Sequence, residues 1–204
     1  MMKSELFGRL RIMHRLCSGL DGFSLSIGSK ETRFANINAD IDIGAHPEIL
    51  ADVCFSPFKS EVFDLIYFTE VIEHLPNGSE QLALREIYRM LKKGGTLILT
   101  TPHDNRLFTV LDLARYIVTH RHYKKERIDY LLNECNFNID QIFIAGGSWE
   151  CLCNLWYFLI TFPMKKIFGI KSNYAPTILT KLSDKEYDKK SDNGYTIFCV
   201  ASRK

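Results

Sequence analysis

The fold is decided by a stretch that begins with FDLIYFT at residues 63–69. This segment is almost continuously apolar, which is typical of a central strand in a parallel sheet. A helical pattern follows, with apolar residues three and four positions apart, and the pair Gly94-Gly95 ends it. The segment TLILTT at 96–101 then reads as a second strand. Strand, helix and strand therefore form a right-handed βαβ unit, which is the building block of α/β proteins.

The start of this helix is predicted from a capping pattern. Asn77 can accept a hydrogen bond from the first free backbone N–H groups of the helix, and Glu80 can reach back to the amide of Asn77. Lys92 and Lys93 suit the negatively polarised carboxyl end of the helix. The pattern predicts a helix that begins next to Asn77 and continues to the two lysines.

Shorter elements are predicted on both sides of this unit. They are strands near 23–27, 36–40, 48–52, 138–145 and 195–202, and helices near 106–119 and 124–135. Strands that alternate with helices favour an open sheet with helices on both faces. The expected fold class is therefore α/β, with a doubly wound and mostly parallel sheet.

The length of 204 residues predicts a single domain over residues 1–204. Residues 1–20 form an amphipathic helix in this interpretation, and 148–190 is an insertion or cap between the last two strands. The apolar and aromatic part of that insertion, 148–170, is shorter than the roughly 20 apolar residues that a membrane span needs. It is expected to cover the active site, to form a homodimer surface or to contact a membrane surface peripherally.

Composition restricts the kind of partner and the compartment. The net charge of +2 gives no indication of a nucleic-acid partner. The six cysteines contain no C-x-x-C pair, so we expect reduced thiols and a cytoplasmic protein. Charged residues interrupt the amino-terminal segment, which has no apolar core of the kind a signal peptide needs.

Three motifs in fixed order carry a family resemblance. EVIEHLP at 70–76, LREIYRMLKKGG at 84–95 and TTP at 100–102 together resemble the class I, Rossmann-like S-adenosylmethionine-dependent methyltransferases of the type 11 kind. The resemblance covers roughly residues 22–145 and the final strand. It implies a seven-stranded sheet with an antiparallel last strand. It also implies methyl transfer to an oxygen or nitrogen of an acceptor, which the sequence leaves open between a glycan, a small metabolite and RNA.

The resemblance also implies which residues bind the cofactor. Gly28 lets the backbone approach the ligand, and Asp40 at the end of the second strand would accept hydrogen bonds from the ribose hydroxyls. Asp52 would face the adenine amino group, and Val53 would offer its backbone amide to the ring. Glu70, after the fourth strand, is expected to face the same pocket.

The first turn departs from the pattern of the family. It reads SIGSK at 26–30, which lacks the second glycine, and the short distance from Gly28 to Asp40 implies a short first crossover. This departure motivates an alternative, a methyltransferase-like binding or regulatory protein with weakened or lost cofactor binding. A nicotinamide-binding oxidoreductase is disfavoured, because the turn has no G-x-G-x-x-G motif.

Two hypotheses concern catalysis. In the first, Glu70, Glu73, His74 and His122 bind Mg²⁺ or Mn²⁺, as the similar E-x-x-E-H pattern of small-RNA 2′-O-methyltransferases suggests. In the favoured, metal-free interpretation, Glu73 and His74 hold the loop and the cofactor.

In the second hypothesis, His74 and His103 are the catalytic candidates, because a histidine suits general base catalysis near neutral pH.

Overall fold

A computed structural model describes residues 8–28, 35–113, 116, 120–169 and 175–204. Within these residues, seven strands form one sheet. They are β1 (Ser24–Ile27), β2 (Ile37–Asp40), β3 (Ile49–Leu50), β4 (Phe63–Thr69), β5 (Leu91–Pro102), β6 (Phe137–Ala145) and β7 (Thr196–Arg203).

The sheet has the strand order β3-β2-β1-β4-β5-β7-β6. Six strands run parallel, and β7 is inserted antiparallel between β5 and β6. The central strands β4 and β5 are buried over most of their length, as their continuous apolar runs require. The predicted α/β class, with its mostly parallel sheet and antiparallel last strand, is confirmed.

Helices cover both faces of the sheet. They are α1 (Gly8–Cys17), α2 (Glu80–Met90), α3 (Arg106–Leu111), α4 (Lys125–Glu134), α5 (Ser148–Trp156), α6 (Phe162–Phe168) and α7 (Thr177–Glu186). On one face α2 and α4 bury Ile87 and Leu131, and on the other α1 buries Ile12 beside Tyr187. None of the helices in the part of the chain that the structure describes is long and apolar enough to cross a membrane.

The predicted start of α2 is wrong. Helix α2 begins at Glu80 after Ser79, and no side chain caps it. The side-chain oxygen of Asn77 instead accepts from Arg121 Nη1 at 2.9 Å, and the same nitrogen pairs with Glu80 Oε1 at 2.5 Å. The capping pattern failed because a distant arginine binds both oxygens that the cap would have used. The helix also ends at Met90, so the two lysines lie in β5.

In the described part of the segment between β6 and β7, namely 146–169 and 175–195, there are three helices and a connecting π-helical turn at Tyr157–Thr161. Helix α5 packs against α3 and α7, and α7 packs against α1. Two other predictions fall partly outside the described residues. The first crossover includes 29–34, and the second half of the helix predicted at 106–119 includes 114–115 and 117–119.

Candidate active site

The carboxyl end of β1 requires a glycine. Gly28 has a φ of +68°, and a Cβ atom built on it would overlap the side chain of Val71. Its backbone N–H donates to the carbonyl of Ala39 in β2 at 2.8 Å. Gly28 therefore brings the end of β1 against the loop that follows β4, which carries Glu73 and His74.

Asp40 ends β2 with a buried carboxylate. Its Oδ1 accepts a hydrogen bond from the backbone amide of Asp42 at 3.0 Å. Its Oδ2 is buried and has no hydrogen-bond partner among the residues that the structure describes. Because an unsatisfied buried oxygen is unfavourable, this atom is suited to accept a hydrogen bond from a ligand hydroxyl.

Asp52 and Val53 lie at the start of a single 3₁₀ turn, Val53–Phe55. Asp52 Oδ1 accepts from the backbone amide of Cys54 at 2.8 Å, so this side chain caps the turn, a role that was not predicted. Val53 is buried at the same edge of the sheet. The cap leaves the second carboxylate oxygen of Asp52 for a ligand and fixes the direction of the side chain.

Glu70 follows β4 with a φ of +55°, in the left-handed region that few residues other than glycine adopt. Its Oε1 accepts from Thr100 Oγ1 at 2.9 Å, and its Oε2 forms an ion pair with Arg9 Nη1 at 2.7 Å. Arg9 lies on α1, so the amino-terminal helix is tied to the carboxyl end of the sheet. Both carboxylate oxygens of Glu70 therefore have partners from the protein.

Glu73 is fully buried in the 3₁₀ turn Ile72–His74. Its Oε2 accepts from Thr101 Oγ1 at 3.2 Å, whereas its Oε1 has no hydrogen-bond partner. Burial raises the pKa of Glu73 well above its usual range, and the nearby charge of Glu70 adds to this effect. Glu73 therefore favours the neutral, protonated form.

A second buried carboxylate, that of Asp112, holds two histidines. Asp112 Oδ2 accepts from His120 Nδ1 at 2.5 Å and from His122 Nε2 at 2.8 Å. Burial alone would raise the pKa of Asp112, but the hydrogen bonds from the two histidines outweigh it and lower that pKa below its usual range. His122 Nδ1 donates to the backbone oxygen of His103 at 3.1 Å, which fixes the second ring.

The side chains of Glu73, His74 and His120 converge on one point. His120 Nε2 lies 3.8 Å from Glu73 Oε1, and the rings of His74 and His120 have centroids 5.0 Å apart. One ligand-type atom from each of the three residues lies within 4.8 Å of the others. With Asp112 holding the far nitrogen of His120, the arrangement can act as a base or coordinate a cation.

The predicted metal set does not come together as one group. Glu73 and His74 are close to His120, whereas His122 belongs to a second group with Asp112 and His120. Glu70 is left out of the candidate metal site because Arg9 and Thr100 bind its two carboxylate oxygens. His122 is left out because both of its ring nitrogens already face acceptors within the protein. The corrected candidate set is therefore Glu73, His74 and His120.

Sequence reasoning missed His120 and Asp112. The available signal was the H-x-H spacing of His120 and His122, which places two imidazoles on one side of an extended segment. No local pattern connects either histidine with Asp112. The helix predicted over 106–119 contains Asp112 and ends just before His120, so the prediction gave no reason to place these side chains together.

The ring of His103 belongs to neither of these two groups, although its backbone oxygen contacts His122. Its ring Nδ1 faces the backbone oxygen of Gly194 at 3.0 Å, and its backbone amide donates to the oxygen of Tyr195 at 2.8 Å. Because a carbonyl can only accept, Nδ1 carries the proton and Nε2 carries the lone pair. The catalytic role of His103 stays a prediction, and the geometry ties its ring to the start of β7.

Comparisons with known proteins agree with this architecture. Residues 22–99 match the model of the family described as "Methyltransferase domain". The match includes β1 to β4, α2 and most of β5, and therefore the edge that carries Gly28, Asp40, Asp52 and Glu73. None of the curated proteins matches the chain in sequence.

Solved structures share the fold over nearly the whole chain. An S-adenosylmethionine-dependent methyltransferase from Archaeoglobus fulgidus is 15% identical with a TM-score of 0.63, covering 94% of this chain and 91% of the other. A putative methyltransferase from Bacillus halodurans is 18% identical, with a TM-score of 0.59 and coverages of 96% and 98%. A possible histamine N-methyltransferase from Thermotoga maritima is 17% identical, with a TM-score of 0.60 and coverages of 95% and 87%. At these identities the likeness establishes the fold.

Proposed function

We propose that this chain is a class I S-adenosylmethionine-dependent methyltransferase of the type 11 kind, and that it methylates a hydroxyl oxygen of its acceptor with His120 as the base. The observation that supports this proposal is the 2.5 Å contact between His120 Nδ1 and the buried carboxylate of Asp112. A neutral amine can attack a methyl group before it loses a proton, whereas a hydroxyl is a poor nucleophile unless a base takes its proton. A positioned histidine and carboxylate therefore favour a hydroxyl acceptor.

The residues at the ends of β1 to β3 fit the cofactor. Gly28 supplies the positive φ that the backbone needs after β1, and Asp40 Oδ2, which has no hydrogen-bond partner among the described residues, suits a ribose hydroxyl. Asp52, directed by its cap on Cys54, suits the amino group of adenine, with the amide of Val53 beside the ring. S-adenosylmethionine, when bound, supplies an electrophilic methyl group on its sulfonium.

The position of the proton on the imidazole of His120 determines which ring nitrogen can act as the base. Because a carboxylate can only accept, Nδ1 carries a proton and Nε2 presents its lone pair on the side of Glu73. The negative charge of Asp112 stabilises the imidazolium that forms when Nε2 takes the acceptor proton. Burial disfavours the charged form of Glu73, and in its protonated form this side chain can donate a hydrogen bond from Oε1 to an acceptor oxygen and so position it.

A second candidate mechanism uses a divalent cation at the same place. It is favoured by the convergence of Glu73, His74 and His120, and by Asp112, since a ligating histidine commonly donates its other N–H to a carboxylate. Carboxylate and imidazole ligands suit Mn²⁺ better than Mg²⁺. We rank it second, because the contact of His120 with Asp112 suits a base on its own, whereas coordination would need the charged form of Glu73, which burial disfavours.

The acceptor class remains open between a glycan, a small metabolite and RNA, and we place the reaction in the cytoplasm. The six cysteine thiols are all free, and thiols are kept reduced in that compartment.

The test follows transfer of a tritium-labelled methyl group from the donor into glycan, lipid, small-molecule and RNA fractions of the source cells. We expect one fraction to be labelled at a hydroxyl oxygen. His120→Gln should lower the rate by about 10²–10⁴-fold, the range of a general base. The affinity for S-adenosylhomocysteine, measured by calorimetry, should stay the same.

His14→Gln is the matched control, because His14 is exposed on α1. Full activity in His120→Gln would reject the proposed base, and label on a nitrogen would reject the hydroxyl acceptor. If wild-type protein binds neither S-adenosylmethionine nor S-adenosylhomocysteine, the alternative of a binding protein that has lost the cofactor is supported instead.

A further inference from the structure

The segment from Ser148 to Phe168 is one continuous helical body, formed by α5, the π-helical turn and α6. Large apolar side chains are exposed along it, from Trp149 at 36% to Ile167 at 70%. Neighbouring members are mostly three or four positions apart, the spacing that places side chains on one side of a helix. We call these residues the apolar stripe: Trp149, Leu152, Trp156, Leu159, Ile160, Met164 and Ile167.

The opposite side of the same helical body is anchored to the protein. Cys151 is buried in a small cluster with Phe108 and Tyr195. Glu150 is buried and accepts a hydrogen bond from Ser183 Oγ at 2.6 Å. Because these contacts fix the orientation of α5, the apolar stripe faces away from the core.

The exposed charge along this helical body is positive. Between 148 and 169 the charged residues are Glu150, Lys165 and Lys166. Burial raises the pKa of Glu150, and its carboxyl group is inside the protein, whereas both lysines are exposed beside the apolar stripe. The surface thus combines aromatic and aliphatic side chains with two cations.

The apolar stripe is close to the candidate active site. Helix α3 packs against α5 and exposes Leu107 and Val110, which are 60% and 64% exposed. The same helix follows directly on β5 and leads to Asp112, the carboxylate that holds His120. A surface bound to the apolar stripe would therefore be next to the place where the acceptor reacts.

We propose that the apolar stripe binds the surface of a bilayer that contains anionic phospholipids, with Lys165 and Lys166 at the headgroups. Amphipathic helices with aromatic residues on one side and lysines beside them bind membranes in this way, with the helix parallel to the surface. A second copy of the chain is a poorer occupant. In a two-fold dimer the same patch faces itself, so the lysines would meet no opposite charge.

The two tryptophans of the chain provide a direct probe. Both Trp149 and Trp156 belong to the apolar stripe, so tryptophan fluorescence reports on this surface and on no other. We expect a blue shift and co-sedimentation with vesicles of phosphatidylcholine containing roughly a third phosphatidylglycerol, and weaker binding to pure phosphatidylcholine vesicles.

Two variants test the apolar and the charged part separately. Leu159→Asp/Ile167→Asp should weaken vesicle binding at least tenfold, and Lys165→Glu/Lys166→Glu should remove the preference for anionic vesicles. Leu82→Asp is the apolar control, since Leu82 is 42% exposed on α2. Lys59→Glu/Lys93→Glu is the charge control, because both lysines are exposed near the amino-terminal ends of β4 and β5.

Three outcomes would overturn this proposal. One is wild-type protein that neither sediments with the vesicles nor shifts its fluorescence. Another is equal loss of binding in the stripe variants and in the controls. The third is a dimer in light scattering that the stripe variants convert to monomer, without vesicle binding. None of these measurements requires methyl transfer, so they stand apart from the test of the proposed base.

Discussion

The two halves of the carboxyl edge differ in how their functional side chains are held. In the half proposed to bind the cofactor, Gly28, Asp40 and Asp52 lie at or just after the ends of β1, β2 and β3, and local backbone contacts direct them. In the acceptor half, His120 and Asp112 lie outside the strands and are held by each other. The comparison indicates that strand geometry positions the first set, whereas side-chain hydrogen bonds between loop residues position the second.

The largest effect is expected from removing the charge that holds the base. Asp112→Asn should lower the rate of methyl transfer by about 10²–10⁴-fold, because the wrong tautomer of His120 becomes available. The affinity for S-adenosylhomocysteine should change less than about twofold. Asp21→Asn, a change at an exposed aspartate, is the control. Equal loss of affinity and rate would show that the two halves are not separable.

In the half proposed to bind the cofactor, we expect a substitution to reduce affinity and to leave the rate nearly unchanged. Asp40→Ala should weaken binding of S-adenosylhomocysteine by about 1.5–3 kcal/mol, the range for a hydrogen bond to a charged group. The rate at saturating donor should stay close to that of the wild type. Calorimetry measures the affinity, and Asp42→Ala serves as control because Asp42 is the exposed neighbour. Unchanged affinity in Asp40→Ala would reject the assignment of Asp40 to the ribose.

A smaller effect is expected at the contact between the halves. Gly28→Ala should destabilise the fold by about 1–3 kcal/mol, from the positive φ and from overlap with Val71. Gly78→Ala separates the two causes, because Gly78 has a φ of +86° and open space around it. Denaturant titration should show a larger loss for Gly28→Ala, and Val71→Ala should recover part of it. Equal losses of unfolding free energy in Gly28→Ala and Gly78→Ala would mean that the overlap with Val71 is relieved at no cost in stability.

Lowering the pH should reduce the free energy of unfolding, because Asp112 becomes protonated and loses its pairing with the two histidines. Its pKa is lower in the folded chain than in the unfolded chain, where it is about 3.9, so its contribution to stability is complete above that value. The contribution is lost as pH falls below about 4, at up to about 1.4 kcal/mol per pH unit. Denaturant titrations between pH 2.5 and 6, values chosen to span about that window, should give a flatter profile for Asp112→Asn. An unchanged slope in the variant would contradict the pairing.

Chelation is expected to have the smallest effect. If His120 acts as a base, exhaustive removal of divalent cations should change the rate by less than about twofold. If activity disappears and Mn²⁺ restores it, the cation mechanism replaces the base mechanism. His74→Ala is a second check, because His74 has a role in coordination but none in the proton transfer proposed for His120.

The sequence was sufficient for the sheet because burial leaves a local signal. The continuous apolar runs at 63–69 and 96–101 predicted β4 and the parallel-sheet part of β5. A single domain over 1–204 stays a prediction, as do the cofactor and catalytic roles assigned to individual residues.

The failures share one physical cause, which is competition from residues far away in the chain. Asn77 was predicted to cap α2, but Arg121 binds it. Glu70 was predicted to belong to a metal site with His122, but Arg9 pairs with its carboxylate and His122 lies in a different group, whereas its predicted place beside the cofactor stays a prediction. Side-chain partners of this kind depend on how the loops are arranged in the folded protein. No periodic pattern in the sequence predicts them.

The position of the apolar stripe in the chain has a consequence for how the length of this segment can vary. The helices α5 to α7 leave the sheet after Ala145 and return at Thr196, and these two residues are paired neighbours on β6 and β7. Since the excursion starts and finishes at one point, its length can change without altering the strand order. The entropy of closing such a loop rises only with the logarithm of its length. The insert that carries the apolar stripe could therefore be lengthened or shortened while the paired ends of β6 and β7 keep their register.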